Sequence, residues 1–223
     1  MPDKIRVIIT GATGMVGEGV LHECLQHPAV EAVLIINRKP SGFSHPKLKE
    51  IIHEDFYNLT PLAAELTGYN ACFFCLGVSA IGKDEVTYYK LTHTLTLHAA
   101  EVMCKASPEI AFCYISGSGT DSSEHGRAMW ARVKGKTEND LMRLPFRQVY
   151  AFRPGYLHPT KGLKNVKPYY KYLSWMFPFF RALFPSFVGT LAELGQAMIK
   201  VAQHGYSKKV LEVKDIYKVA NEA

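Results

Sequence analysis

The chain has 223 residues, 48% hydrophobic and 21% charged, a balance that fits a packed globular protein and excludes a disordered or fibrous one. No apolar run reaches the roughly 18 residues of a membrane-crossing helix, and the first strand begins without a leader, which together predict a cytoplasmic protein. The net charge of +6 comes from scattered Lys and Arg with no basic run, so nucleic acid is not expected as a partner.

In chain order, Val7–Thr10 predicts a β-branched first strand, followed by Gly11, Ala12, Thr13, Gly14, Met15, Val16 and Gly17. A strand that turns through three spaced glycines into a helix is a device for holding a dinucleotide pyrophosphate. Gly11 supplies the backbone angles of the turn, Gly14 leaves room for the phosphates, and Gly17 lets the helix sit close to the strand. The helix N-terminus offers N–H groups and partial positive charge to the anion. The helix itself, Met15–His27, places Val16, Val20, Leu21 and Cys24 on one face and stops at Pro28.

Val33–Asn37 predicts strand two, and Asn37-Arg38-Lys39 stands twenty residues beyond Gly17. An acid at this position would bind a ribose 2′-hydroxyl. An amide and two cations favour a 2′-phosphate instead, hence NADP(H) over NAD(H). Strand three, Ile51–His53, leads to Asp55 and Phe56. Asp55 can accept from an adenine amino group with Phe56 beside the ring, or it can cap a turn near Asn58. Thr60 is expected to cap a short helix with Pro61 at its first position.

Strand four, Ala71–Cys75, carries Cys72 and Cys75 inside an apolar run, where a buried strand is expected rather than a redox pair. After it, Cys75, Leu76 and Gly77 read as wall of a cofactor site. Further along come a long helix (Glu85–Lys105), strand five (Ala111–Ser116), a helix (Ala128–Leu144) and strand six (Val149–Arg153). Thr190-Leu191-Ala192-Glu193 is a capping box that opens a helix to about His204, and Lys209–Val213 predicts a last strand.

This alternation predicts a doubly wound parallel sheet of the Rossmann type, one α/β domain over 1–223, with ligands at the carboxyl ends of the strands. Residues 156–189 break the rhythm with a small aromatic cap, dense from Tyr169 to Phe180 and carrying Lys171 and Arg181. The cap reads as a lid or as an interface with a second copy, in preference to a segment lying on a membrane. His22, His27, His93 and His98 fall on helices without a metal-ligand set, so no metal is expected.

Thr10-Gly11-x-x-Gly14-x-x-Gly17, Asp55-Phe56, Cys75-Leu76-Gly77, Ile115-Ser116-Gly117-Ser118, Val133-Lys134 and Phe152-Arg153-Pro154-Gly155 occur in order. On these motifs the chain resembles the atypical short-chain dehydrogenase/reductases, and in particular the Tat-interacting tumour-suppressor branch with its bacterial relatives. The resemblance covers about residues 4–157. It implies a seven-stranded sheet, NADP(H), with Pro154, Gly155 and Tyr156 beside the cofactor, and a Ser–Tyr–Lys set acting on a small-molecule carbonyl or alcohol. Ser118 matches the serine, with Ser116 as fallback, and Lys134 matches the lysine. Four residues before Lys134 the family's tyrosine is replaced by Trp130. Indole cannot deliver and recover a proton at neutral pH. Tyr156 and His125 are the candidate replacements. The alternatives to an oxidoreductase are a nucleotide-binding regulator without turnover and an epimerase with tightly held cofactor.

Overall fold

The computed structural model describes residues 4–166, 170 and 176–222. The apolar runs form the strands β1 (Ile5–Thr10), β2 (Val30–Asn37), β3 (Leu48–Ile52), β4 (Ala71–Phe74), β5 (Ala111–Ile115), β6 (Gln148–Arg153) and β9 (Val210–Glu212). All pair in parallel in the order β3-β2-β1-β4-β5-β6-β9. This is the Rossmann-like α/β sheet that the alternation of the sequence predicts. The order reverses between β1 and β4, so a crevice opens above the carboxyl end of β1.

Strand alternation divides the core in two. Val7 and Ile9 of β1 face one side with Val20, Leu21, Leu194 and Met198; Ile8 faces the other with Leu34, Ala99, Met103 and Leu141. The first face is covered by α1 (Met15–Gln26), α7 (Leu191–His204) and α8 (Val213–Asn221). The second is covered by α2 (Ala63–Leu66), α4 (Leu95–Ala106) and α5 (Met129–Leu141).

The expected long helix runs from α3 (Glu85–Tyr89) through a π turn at Lys90–Thr94 into α4. Asp84 caps it, accepting from the Thr87 amide at 2.9 Å, and this bond holds the Asp84 carboxyl below its ordinary pKa. The capping box at Thr190 and Glu193 is present and opens α7 as the sequence requires. Thr60 caps nothing. A 3-10 turn already begins at Thr60, and the nearby side-chain bond runs from the Thr60 amide to Asn58 Oδ1 at 3.3 Å.

Two features go beyond the sequence reading. The last strand ends at Glu212, and a second capping box, Glu212 with Asp215, starts α8 immediately. Over 156–190, β7 (Tyr156–His158) and β8 (Val188–Thr190) form a separate two-stranded parallel sheet, with the short helix α6 (Phe177–Leu183) between them in the chain. Tyr169, Lys171, Tyr172 and Trp175 of the aromatic segment lie outside the described residues.

Candidate active site

The glycine turn has the geometry its spacing predicts. Gly11 adopts φ +73°, a region that disfavours any side chain, and a Cβ there would lie 2.8 Å from the Cys75 carbonyl group. A Cβ on Gly17 would stand 2.2 Å from the Gly11 oxygen, so helix and turn touch through bare backbone. Gly14 is different: its nearest neighbour would be 3.4 Å away. It is the N-cap of α1 and no side chain caps the helix. The amides of the first turn therefore point into open space beside Thr13, where a phosphate can approach.

Above β1, β4, β5 and β6 lies a cleft of about 340 Å³, whose walls include Met15, Val16, Cys75, Leu76, Gly77, Ser116, Lys134, Pro154 and Gly155. These residues, scattered over 140 positions, meet because each follows the carboxyl end of a strand or opens the helix after one. Lys134 projects from α5, and its ammonium donates to the Ser116 carbonyl. Burial pulls its pKa down to about 8, offset in part by the carboxylate of Glu138 one turn on. Glu138 is itself buried and bonded to Arg153, whose guanidinium also reaches Ser122 and Glu212. The Ser116 hydroxyl donates to the Phe152 carbonyl at 3.1 Å and keeps its lone pairs for accepting.

A second opening of about 690 Å³ is lined by Thr13, Arg38, Lys39, Pro40, Ser41, Glu54 and Asn165. Arg38 and Lys39 are exposed. Neither is among the ion pairs of the described residues. Asn37 is turned away: its amide donates to Glu50 at 2.8 Å, and the same carboxylate oxygen takes the Ser41 amide. Its Oδ1 is buried without a partner.

The structure decides between several sequence expectations and corrects those for Phe56, Ser118, His125 and Tyr156. Phe56 is 5% exposed and packed with Leu59 and Leu66, so it does not border an open ring site; hydrophobic burial claims it. Asp55 Oδ1 accepts from the Tyr57 amide at 2.9 Å, the turn-capping role. Ser118 is absent from the cleft wall; its amide is bonded to the Pro154 carbonyl, and Ser116 takes the lining position. His125 is exposed in the loop before α5. Tyr156 is on β7 with its ring stacked on Tyr170 at 5.6 Å; Tyr170 and Leu157 line the cleft, and Tyr156 faces a separate groove. Trp130 packs against the turn at Gly119, 3.5 Å from where a side chain would start. Cys75 lines the cleft with a thiol that burial pushes well above its ordinary pKa, and Cys72 is buried within β4, so no redox pair is presented.

Glu18 is a residue that sequence reasoning misses. It is 2% exposed, yet its two oxygens accept from the amides of Lys164 and Asn165 at 2.6 and 2.7 Å. The segment after β7 is thereby tied to the first helix beside the phosphate end, and Asn165 is brought to the Arg38 opening. The only local sign is an acid within the apolar face of α1.

Residues 7–133 match the model of the NAD dependent epimerase/dehydratase family, and the chain belongs to that family. Among curated relatives it is similar to the protein fmp52, mitochondrial, of Aspergillus clavatus, 32% identical over 67% of this chain and 65% of that relative. It is also similar to the protein HTATIP2 of Rattus norvegicus, 29% identical over 68% and 62%. The matched stretch thus spans less than two thirds of these relatives' own length. Among solved structures, the Bordetella bronchiseptica enzyme WbmF in complex with NAD+ gives a TM-score of 0.64 at 15% identity, over 99% of this chain and 78% of that one. Helicobacter pylori ADP-L-glycero-D-manno-heptose-6-epimerase gives 0.66 at 16%, over 98% and 82%. These two share the fold. The expectation of a cytoplasmic protein is corrected: the fmp52 relatives from Aspergillus clavatus and Aspergillus terreus are named mitochondrial, which conflicts with a purely cytoplasmic location.

Proposed function

We propose that the chain is an NADP(H)-dependent oxidoreductase acting on a small carbonyl or alcohol. The observation that carries this reading is one continuous rim. An uncapped helix N-terminus lies between two cations at the end of β2, outside every ion pair of the described residues, and the half-buried Lys134 of α5, whose ammonium meets the carbonyl just past β5. The amides of Met15, Val16 and Gly17 suit the pyrophosphate, with room above Gly14. Arg38 and Lys39 suit a 2′-phosphate, and Asn37 brings no charge to oppose it. When bound, the nicotinamide supplies hydride. Lys134 holds ribose hydroxyls and, with a pKa near 8, keeps its proton at neutral pH. Ser116, which lines the cleft, orients a substrate alcohol by accepting from its hydroxyl. NAD+ and NADH in complexes of WbmF support a nicotinamide dinucleotide here without deciding the phosphate.

Fluorescence titration tests the cofactor. NADPH should bind more tightly than NADH, and Arg38→Ala should erase most of that preference. The lost charge-assisted contact is worth about 1–3 kcal/mol, roughly 5- to 150-fold. Equal affinities in the wild type would sink the reading.

A second reading, a dinucleotide-binding regulator without turnover, is favoured by the proton donor. Trp130 replaces the family's tyrosine, and neither Tyr156 nor His125 lines the cleft. Trp130→Tyr distinguishes the two. In a catalyst limited by its donor, NADPH consumption with aldehydes and ketones should rise, by about 10²–10⁴-fold for general acid catalysis. No turnover in wild type or variant would leave the regulator.

A further inference from the structure

The segment after β7 returns to the phosphate end of the cofactor site and is held there at two points. Glu18 of α1, 2% exposed, accepts from the Lys164 and Asn165 amides at 2.6 and 2.7 Å. The Lys164 ammonium stands 4.8 Å from the centre of the Phe43 ring, in the loop after β2. That loop is fixed in turn. One oxygen of Glu50 takes the Asn37 side-chain amide at 2.8 Å and the Ser41 backbone amide at 2.9 Å, and Ser41 Oγ accepts from the Phe43 amide at 3.3 Å.

The opening of about 690 Å³ is lined by both segments, and Thr13 joins it to the glycine turn. Arg38 and Lys39 on its wall outnumber the one acid, Glu54. Two neutral donors stand with the cations. Ser41 Oγ has accepted a hydrogen bond and keeps its hydroxyl proton to give. Asn165 spends its backbone amide on Glu18, and its carboxamide has no hydrogen bond among the described residues. A phosphate monoester accepts from several donors at once and is drawn to cations beside them.

We propose that Asn165 is a specificity-determining residue of the cofactor site, its carboxamide donating to the ribose 2′-phosphate, and that Glu18 is the positioning residue that presents it. This deepens the NADP(H) reading and rests on it. The loop after β2 and the segment after β7 are both fastened before the cofactor arrives, so binding has little chain left to order. An Asn carboxamide can also accept, through Oδ1, from an unphosphorylated 2′-hydroxyl. Aspartate keeps that acceptor and repels a phosphate, so the Asn165→Asp exchange separates the two contacts.

The test is calorimetric titration of the whole chain with adenosine 2′,5′-bisphosphate and with 5′-AMP, which carry the adenosine end of the cofactor without the nicotinamide. Wild type should prefer the bisphosphate. Asn165→Ala should lower that preference about tenfold, the lower end for a hydrogen bond to a charged group. Asn165→Asp should abolish it, with the affinity for 5′-AMP little changed in both variants. Glu18→Gln, which keeps one accepting oxygen, should lower the preference part of the way. Loss of the Glu18 charge by itself favours the more anionic ligand, so a fall in the preference reads the presentation of Asn165. Asn165 is exposed, and circular dichroism checks that the variants are folded. Equal binding of the two ligands by wild type overturns the NADP(H) reading and the role of Asn165 with it. A preference that survives both Asn165 variants overturns that role and leaves the NADP(H) reading standing. A preference untouched by Glu18→Gln overturns Glu18 as the positioning residue.

Discussion

Lys134 is the residue whose chemistry depends most on where the fold puts it. Its ammonium is buried, and the folded pKa of about 8 lies below the ordinary 10.5 of lysine. The folded state therefore gives up its proton first. Between about pH 8 and 10.5 the unfolded chain binds more protons than the folded one, so this group raises stability as pH climbs through that window. Other buried groups act oppositely there, since burial raises the Tyr114 and Cys113 pKa values. The difference between wild type and Lys134→Met isolates the lysine. At pH 7 the variant, free of the buried charge, should be the relatively more stable, and this advantage should shrink by about 3 kcal/mol on going to pH 10.5. Urea unfolding at several pH values measures it, and a difference independent of pH refutes it. The lysine was legible in the sequence through its place in a motif; its bond to the Ser116 carbonyl was not. Nor was the choice of Ser116 over Ser118, which depends on how the chain turns at Gly117, where φ is +149°. Tyr156 was misread by one step of strand alternation: Leu157, its neighbour on β7, is the residue that faces the cleft.

At the scale of elements, what was legible is what the chain writes locally. The strand–glycine–helix unit, the capping box at Thr190 and the long apolar strands are consequences of neighbours in sequence. The pairing of Glu18 with Lys164 and Asn165 spans 146 and 147 positions, and no local pattern encodes it. The three-residue strands β7 and β8 are too short to show a period. Glu18 is the point at which this hidden layer can be probed. Glu18→Ala leaves two amides without an acceptor, at about 1–3 kcal/mol for the buried bonds lost. Hydrogen exchange at Lys164 and Asn165 should accelerate, with α7 unchanged. Equal exchange in variant and wild type would show that the clamp does not hold the segment. Glu18→Gln, which keeps one accepting oxygen, should fall between.

At the scale of the molecule, Arg153 joins three elements: β6, on which it sits, Glu138 of α5 and Glu212 of β9. Glu138 is 1% exposed, so removing its cation leaves a buried charge without a partner. Arg153→Met should cost about 3–5 kcal/mol, a fall in Tm of roughly 6–20 °C for a chain of this size. Adding Glu138→Leu should recover most of it, because an apolar pair of similar volume replaces an ion pair at little net cost. Thermal unfolding by circular dichroism of the single and double variants decides, and a double variant no better than the single would show that the pair is more than a matched charge.

The strand order carries a consequence for synthesis on the ribosome. From the centre outward, β1, β2, β3 on one side and β4, β5, β6, β9 on the other follow the order in which the chain emerges. No strand has to be inserted between two that are already paired; each nascent segment adds to an existing border. Once β4 has paired with β1, the border made by β6 waits longest, for the whole of residues 154–209, before β9 arrives. At about 5–20 residues per second that is of the order of 3–11 s. During that interval the open row of β6 amides and carbonyls can recruit a foreign strand, so nascent-chain aggregation should concentrate in polypeptides stalled between Arg153 and Val210.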